Sequence, residues 1–389
     1  MYFYDKMFIL FIIFIFINLF LFTLLLFTKR VTKRLPRLQS TDNNIVENES
    51  AIYFNKISSG EQTTNSIGVI LTREQSTNSI HFDKSSSIRQ SMKSTHYPDI
   101  ISRRKFANSI YFHETSTRGQ LTVRQACCIE SCARMNPKLE INVIFSLQFD
   151  PDYEIHKLLS QIGNIIFLSV NISSYVKGTP MEDFDTSILQ KSEWPMHVTS
   201  DALRYLTLYK RGGIYLDLDV MSIKPLEVLG VNWAAMEDNY FVNSAAMAFA
   251  KDYVGRHVAK KAVRNFVEAF NVSDFSNNGP GVITRVLIEL CGSYLTQRNC
   301  QGFDIYPKES FYTIPYYRAK EYFKAYALTH LETDQIYGYH MFNYATNDIK
   351  IEDNSFYANL AKEFCPTIYK KYIDEFSYVP NSSEVGGAT

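Results

Sequence analysis

Two aspartates one residue apart stand at the end of a short apolar run, Ile214-Tyr215-Leu216-Asp217-Leu218-Asp219. If the run continues as a strand, its period of two places Asp217 and Asp219 on one face and the leucines on the other. Neighbouring carboxylates repel each other and lose hydration unless a divalent cation lies between them or water reaches them freely. Mg²⁺ and Mn²⁺ prefer oxygen ligands and often share them with phosphates. The pair predicts a metal site that binds a nucleotide diphosphate, although a lone D-x-D also arises by chance.

A helix is predicted directly before this strand. Thr199 or Ser200 can cap it, and Gly212-Gly213 ends it. Its apolar positions recur at helical spacing: Ala202, Leu203, Leu206 and Tyr209. Asp201 and Arg204 lie one turn apart on this helix. Two interpretations stay open for them: a structural ion pair, or Asp201 contacting the nucleotide or sugar while Arg204 steadies it or a phosphate.

Apolar runs alternate with helical patterns from Ser109 onward, which predicts an α/β fold. The predicted order is strand, helix, strand, helix, strand over Ile110–Phe112, Val123–Met135, Ile141–Leu147, Tyr153–Ile162 and Ile165–Val170. A further apolar strand is predicted at Ala245–Ala250. Such alternation indicates a mostly parallel sheet covered on both faces. Nucleotides bind beyond the carboxyl ends of the strands in sheets of this kind.

The first quarter of the chain has a different character. Residues 7–27 contain no charged side chain, and as a helix they would span a bilayer, so we predict a transmembrane signal-anchor behind a cytosolic tail of residues 1–6. Residues 28–106 are rich in Ser, Thr, Asn and charge, which predicts a flexible stem. The catalytic domain is predicted over residues 107–375, with a tail over residues 376–389.

Two patterns in the sequence predict opposite orientations for this anchor. Five basic residues between positions 29 and 37 follow the helix, whereas Lys6 precedes it, and the positive-inside rule would leave the body of the protein in the cytosol. Four N-x-S sequons favour an oxidising lumen instead: they start at Asn48, Asn171, Asn271 and Asn381.

Equal numbers of basic and acidic side chains, 40 of each, give no charge excess that would point to nucleic acid as a partner.

Together these motifs resemble glycosyltransferase family 32, and more narrowly its α1,4-glycosyltransferases. The likeness extends in order over roughly residues 108–370. Its motifs are Phe112-x-Glu114-Thr115-Ser116, Ser200 to Arg204, Gly212 to Asp219, Gly279-Pro280 with Thr284-Arg285, Cys291 to Cys300, Tyr339-His340 with Asn343, and Cys365-Pro366-Thr367. The chain departs from the pattern with Phe342 where relatives commonly carry Trp, and with Met341 beside it.

The resemblance implies a GT-A (Rossmann-like) fold, Mn²⁺ as cofactor, a UDP-sugar donor and retention of the α configuration. It also implies a single-pass type II protein of the Golgi membrane, with the catalytic domain in the lumen and a glycosphingolipid or other glycan as acceptor. Three donors stay open: UDP-galactose, UDP-N-acetylgalactosamine and UDP-N-acetylglucosamine. The alternative is a catalytically silent, membrane-tethered glycan-binding protein with the same fold. A pseudoenzyme has no need to keep so repulsive a pair of carboxylates, so Asp217 and Asp219 favour the enzyme.

The resemblance also assigns roles to individual residues. It implies that Asp217, Asp219 and His340 bind the metal, and the alternative for His340 is a core histidine. The residues expected at the nucleotide are Phe112, Glu114, Thr115, Ser116, Asp201, Arg204, Gly213 and Tyr215. Glu237 and Asp238 are candidates to face the sugar, in catalysis with the two aspartates, and the alternative for them is an exposed acidic turn.

Six cysteines allow fifteen pairings, which the spacing alone does not resolve. The family pattern implies that Cys291 pairs with Cys300 and that Cys127 pairs with Cys365. Cys128 and Cys132 would then be buried thiols. The cluster of three could suggest zinc, but its spacing without matched partners is poor for zinc ligands.

Overall fold

A computed structural model describes residues 109–292, 295, 299–328 and 334–380. The strands are β1 Ser109–Glu114, β2 Glu140–Phe145, β3 Ile165–Ser169, β4 Gly213–Leu216, β5 Val220–Ser222, β6 Trp233–Met236, β7 Val242–Phe249, β8 Asn299–Cys300, β9 Phe303–Tyr306 and β10 Gly338–His340. The α-helices are α1 Val123–Met135, α2 Glu154–Ser160, α3 Ile172–Tyr175, α4 Pro195–Arg211, α5 Tyr253–Glu268, α6 Pro280–Cys291, α7 Asn343–Thr346, α8 Phe356–Phe364 and α9 Pro366–Lys371.

The strands of the described residues form one large and one small sheet. The large sheet has the order β3-β2-β1-β4-β7-β6-β9-β8, and its first four strands are parallel. Strand β7 is antiparallel to both of its neighbours, while β9 is parallel to β6. Strands β5 and β10 form a separate antiparallel pair. The α/β architecture with a mostly parallel central sheet is therefore confirmed.

Alternate residues of the central strands point to opposite faces of the sheet, as strand geometry requires. Ile110 and Phe112 of β1 belong to a core cluster that includes α1 and α8 side chains. Tyr111 belongs to a second cluster, which includes α4, α5 and α6 side chains. Both faces of the sheet are covered by helices, so the edge at the carboxyl ends of the strands is left to form a cleft.

Most of the predicted elements are confirmed, and two predicted boundaries around the D-x-D motif are wrong. Helix α4 begins at Pro195 instead of after Thr199 or Ser200, because proline is well suited to the first helical position. Strand β4 ends at Leu216, since the Val220 N–H donates to the Asp217 carbonyl (3.0 Å) and closes a turn. The two acids consequently lie on this turn, and the prediction that they share one strand face is wrong.

The family pattern of disulfides is confirmed. Cys127 of α1 is bonded to Cys365, and Cys291 is bonded to Cys300. The remaining thiols, Cys128 and Cys132, are buried. The predicted anchor of residues 7–27 and stem of residues 28–106 lie outside the described residues. Within the described ranges, none of the helices has the length and apolar character to traverse a bilayer.

Candidate active site

Three potential metal ligands converge beyond the end of β4. One ligand atom each from Asp217, Asp219 and His340 lies within 4.8 Å of the others. Both aspartates follow β4 in the turn before β5, and His340 ends β10, where it pairs with Val220 of β5. The β5–β10 ladder thus brings a histidine from the far end of the domain beside the D-x-D turn.

The carboxylate of Asp219 is oriented from two sides. His340 Nε2 lies 3.2 Å from Oδ1, and the backbone N–H of Asn343 donates to Oδ2 (2.7 Å). Burial alone would raise the pKa of Asp219, but His340 and these hydrogen bonds outweigh it and lower the pKa. The residue between these contacts, Phe342, has the left-handed conformation (φ 50°) that costs free energy outside glycine. The backbone is therefore strained at Phe342, between the two residues that contact the Asp219 carboxylate.

Arg204 joins Asp201 to the first acid of the D-x-D. Its Nη2 lies 3.0 Å from Asp201 Oδ1 and 3.2 Å from Asp217 Oδ1, and its Nη1 donates to Ser244 Oγ (2.9 Å). Asp201 and Arg204 are almost fully buried, with side chains 7% and 6% exposed. Burial raises the pKa of Asp201 to about 7, although Arg204 opposes the shift. The ion pair left open by the sequence is formed, and it reaches the metal site.

A close approach explains the Gly279-Pro280 motif. A Cβ atom at position 279 would lie 2.4 Å from Asp201 Oδ1, which is far inside van der Waals contact. Tyr205 donates a hydrogen bond from its hydroxyl to the Gly279 carbonyl (2.6 Å). Glycine at this position therefore lets the start of α6 pack directly on the Asp201 carboxylate.

A cavity of about 800 Å³ opens beside the three ligands. The predicted site residues on its wall are Glu114, Thr115, Ser116, Asp201, Arg204, Asp217, Asp219, Glu237, Asp238 and His340. A cavity of this size with a few convergent polar groups is typical of a small-molecule site. Most of the residues singled out from the sequence are thus gathered around one space.

Three predicted nucleotide contacts are not on this wall, which corrects their expected position. Phe112 is fully buried in the core. Gly213 begins β4, at the opposite end of the strand from Asp217, and its φ of 100° suits the close approach of the Ser109 carbonyl. The guanidinium carbon of Arg204 lies 4.8 Å from the centroid of the Tyr215 ring. The Tyr215 hydroxyl donates a hydrogen bond to Asp217 Oδ1. Tyr215 therefore supports the acid from behind.

The loop after β1 is closed by its own polar groups. Glu114 Oε1 accepts from the Ser116 N–H (2.6 Å), and Oε2 accepts from Gln125 Nε2 (3.0 Å). The Thr115 hydroxyl donates to the carbonyl of Met196 at the start of α4 (2.8 Å). Glu114 is 2% exposed and holds the loop together, and Thr115 and Ser116 line the cavity beside it.

The two acids after β6 have different partners. Glu237 Oε2 accepts from Asn243 Nδ2 (2.7 Å), and Glu237 lines the cavity. Asp238 Oδ1 accepts from the N–H groups of Tyr240 (2.7 Å) and Phe241 (2.8 Å). Asp238 therefore closes the turn between β6 and β7 in addition to lining the cavity.

Sequence reasoning missed an aromatic part of the wall. Trp194, His197, Phe275 and Tyr344 all line the cavity. They come from the start of α4, the segment between α5 and α6, and α7. They are scattered over three distant segments, so no local pattern marks them as a group.

Two family models match successive parts of the chain. Residues 122–238 match the glycosyltransferase sugar-binding region containing the DXD motif, and residues 252–372 match the alpha 1,4-glycosyltransferase conserved region. The first of these ranges contains Asp217 and Asp219, and the second contains His340. The three convergent side chains are thus divided between the two matched regions.

Two relatives show the same relationship in sequence. The lactosylceramide 4-alpha-galactosyltransferase of Pongo pygmaeus is 30% identical over 215 residues, which cover 53% of this chain and 96% of that protein. The human alpha-1,4-N-acetylglucosaminyltransferase is 26% identical over 282 residues, covering 68% and 80%. The solved galactosyltransferase LgtC, 15% identical, aligns over 71% of this chain and 99% of its own with a TM-score of 0.39. The resemblance drawn from the motifs is confirmed, and the chain belongs to the α1,4-glycosyltransferase family with a DXD-containing sugar-binding region.

Proposed function

We propose that the protein is a retaining α1,4-glycosyltransferase that uses Mn²⁺ and transfers galactose or an N-acetylhexosamine from a UDP-sugar to a glycosphingolipid. The observation that carries this proposal is the convergence of Asp217, Asp219 and His340 on one wall of the 800 Å³ cavity. Support for an α1,4 linkage and for these donors comes from the galactosyl- and N-acetylglucosaminyltransferase relatives. We assign the domain the GT-A architecture on the same grounds.

The side chains fit a divalent metal of the Mn²⁺ type. Two carboxylates and one imidazole form a mixed oxygen and nitrogen set that suits this ion. The Asn343 N–H occupies Oδ2 of Asp219, so Oδ1 is the atom that faces His340. Hydrogen bonds that orient ligands from behind are a general feature of metal sites. Arg204 and Tyr215 supply the same support to Asp217.

The proposed reaction cleaves the bond between the anomeric carbon of the donor sugar and the UDP phosphate. When bound, the metal supplies Lewis-acid stabilisation of the charge left on the diphosphate. The protein contributes fixed polar groups in a partly closed cavity, which bind and orient both substrates. Retention follows from double displacement on an enzyme carboxylate, or from front-face attack with a phosphate oxygen as the base. Glu237 and Asp238 are the carboxylates that we propose face the sugar.

The test is a transfer assay with the full-length protein in detergent. UDP-galactose, UDP-N-acetylgalactosamine and UDP-N-acetylglucosamine are each offered with lactosylceramide, an N-glycan and a mucin glycan. We expect one donor to give transfer with Mn²⁺ and none with EDTA, and NMR of the product to show an α linkage. Glycan binding without turnover of any UDP-sugar would support the catalytically silent alternative.

We propose that residues 7–27 anchor the protein in the Golgi membrane with the catalytic domain in the lumen. Two of the sequon asparagines, Asn171 and Asn271, are exposed on the described domain. Digestion with an N-glycosidase should therefore shift the wild-type band in cells, and the double variant Asn171→Gln, Asn271→Gln should show a smaller shift. An unshifted wild-type band would place the domain on the cytosolic side.

A further inference from the structure

Four aromatic side chains contact one another on the cavity wall, and we call them the aromatic platform: Trp194, His197, Phe275 and Tyr344. The ring of Phe275 lies 5.4 Å from Trp194, 5.2 Å from His197 and 5.0 Å from Tyr344. His197 and Tyr344 are also 5.0 Å apart. Trp194 Nε1 donates to the Tyr344 hydroxyl (3.1 Å), so separate segments are joined by a specific bond as well as by packing.

The platform faces solvent, unlike the aromatic side chains of the core. Phe275 is 37% and Tyr344 50% exposed, whereas Trp233 and Tyr205 are fully buried. Exposed apolar surface that is grouped inside a cavity is characteristic of a binding site. The platform is therefore not explained by core packing.

The platform adjoins the metal ligands through the chain itself. Tyr344 directly follows Asn343, whose N–H donates to Asp219 Oδ2 (2.7 Å). The opposite part of the platform is also held in place, because Arg285 donates to the side chain (3.0 Å) and carbonyl (3.1 Å) of Asn277, two residues after Phe275. A rigid aromatic surface next to the reaction centre is preorganised for a ligand.

We propose that the aromatic platform binds the acceptor sugar, as a terminal β-galactoside whose apolar C–H face lies against the Phe275 and Tyr344 rings. This inference rests on the proposed function and assigns its acceptor subsite. The axial 4-hydroxyl of galactose leaves the hydrogens of C3, C4 and C5 together on one apolar face, and the other hydroxyls form a polar rim. The platform offers rings for this face together with the Tyr344 hydroxyl and the His197 imidazole.

The position of the platform favours the acceptor over the uracil base of the donor. Asp201 and Arg204 lie deep in the cavity, each 5% exposed, while the Phe275 and Tyr344 rings remain open to solvent. An acceptor stays attached to a larger glycan or lipid, so its reacting sugar must enter from the solvent side. The half-exposed rings are where such a substrate would rest.

Tryptophan fluorescence tests binding independently of turnover. The chain has two tryptophans, and Trp233 is fully buried, so the response to a sugar at the platform would come from Trp194. We expect lactose to give a saturable change in the emission of the full-length protein, and maltose to give none. Phe275→Leu should weaken lactose binding about tenfold, because it removes the ring but keeps an apolar side chain. Phe275→Tyr, which keeps the ring, should bind as the wild type does.

Kinetics then separates the acceptor from the donor. In the transfer assay, Phe275→Leu and Tyr344→Leu should raise the acceptor KM about tenfold with the donor KM unchanged. Tyr317→Leu is the matched control, because Tyr317 is 82% exposed and lies outside the platform. A raised donor KM with an unchanged acceptor KM would overturn the proposal in favour of the uracil base.

The remaining outcomes distinguish the subsite from the activity. If lactose changes the emission but no UDP-sugar supports transfer, the subsite stands and the proposed function fails. If transfer occurs but Phe275→Leu leaves both lactose binding and the acceptor KM unchanged, the function stands and the subsite fails. No response of the wild-type emission to lactose also rejects the subsite, whatever the activity.

Discussion

The guanidinium of Arg204 lies 3.2 Å from a carboxylate oxygen of Asp217, the first acid of the D-x-D. The same guanidinium lies 3.0 Å from Asp201. Burial would lower the pKa of Arg204, but Asp217, Tyr215 and Asp201 more than offset this and raise it. The positive charge is therefore permanent and partly neutralises the acids around the metal site. Asp217 is still 24% exposed, so the pair orients the carboxylate without removing it from the cavity.

Replacing Arg204 should destabilise the fold as well as the activity. Above the pKa of Asp201, Arg204→Met leaves this buried acid without its counter-charge, and breaking a buried ion pair typically costs about 3–5 kcal/mol. Chemical denaturation measures this loss. The double variant Asp201→Asn, Arg204→Met should be more stable than Arg204→Met alone, because the buried charge is gone. A loss below about 1 kcal/mol in Arg204→Met would show that the guanidinium does not compensate Asp201.

Asp219→Asn should abolish metal-dependent transfer with little effect on the fold. The amide keeps the shape of the side chain, but it loses the charge that faces His340. We expect transfer to fall by more than about 100-fold and the Mn²⁺ concentration for half-maximal rate to rise. Asp152→Asn is the control, since the Asp152 side chain is 88% exposed on the surface. Wild-type metal dependence in Asp219→Asn would exclude this carboxylate as a ligand.

Local patterns in the sequence predict the part of the site that lies in one short segment. Asp201, Arg204, Asp217 and Asp219 lie within twenty residues of one another. In the same way, the local pattern from Val123 to Met135 predicts the helix that the structure has there. Pro195 is a local signal as well, because proline favours the first helical position, and α4 begins there.

The other parts of the site depend on hydrogen bonds and on contacts between segments that are distant in the sequence. The D-x-D acids alternate with leucines, and this pattern does not tell a strand from the turn that forms between β4 and β5. The turn is closed by the bond from the Val220 N–H to the Asp217 carbonyl (3.0 Å), which the alternation of residue types does not reveal. The aromatic platform is a stronger case, because Trp194 and Tyr344 are 150 residues apart in the sequence. Periodicity carries no information about contacts over that distance.

The buried His113 should make stability depend on pH. Burial lowers the pKa of His113 from 6.5 to about 3, and its Nε2 lies 3.0 Å from the Thr207 hydroxyl. Between these two values the unfolded chain binds the proton and the folded protein does not. Stability should therefore fall as the pH drops below 6.5, by up to about 1.4 kcal/mol per unit, until about pH 3.

The measurement compares the wild type with His113→Gln in urea at several pH values from 8 down to about 4. Glutamine retains a group that can bond to Thr207 but cannot bind a proton in this range. The difference in stability between the two proteins should shift in favour of the variant as the pH falls. An equal dependence on pH in both proteins would mean that His113 is protonated without unfolding.

Glu130 should tie the carboxyl-terminal helix to α1. Its side chain is fully buried and accepts from the N–H groups of Thr367 (2.9 Å) and Ile368 (2.8 Å) at the start of α9, and from Arg134 (2.7 Å). Glu130→Gln turns one acceptor into a donor that faces these N–H groups. We expect a loss of about 2–3 kcal/mol, with faster hydrogen exchange of the amides of α9.

The disulfide from Cys127 to Cys365 should limit the increase in hydrogen exchange of α9 that Glu130→Gln causes. It joins α1 to the residue just before α9 and closes a loop with a sequence separation of 238 residues, for which chain entropy predicts about 5 kcal/mol of stabilisation. Exchange in Glu130→Gln should therefore rise further after reduction with dithiothreitol. Glu363→Gln, an exposed change on the adjacent α8, serves as the control. If the amides of α9 stay protected in reduced Glu130→Gln, hydrophobic packing alone holds that helix, and the buried carboxylate is not its anchor.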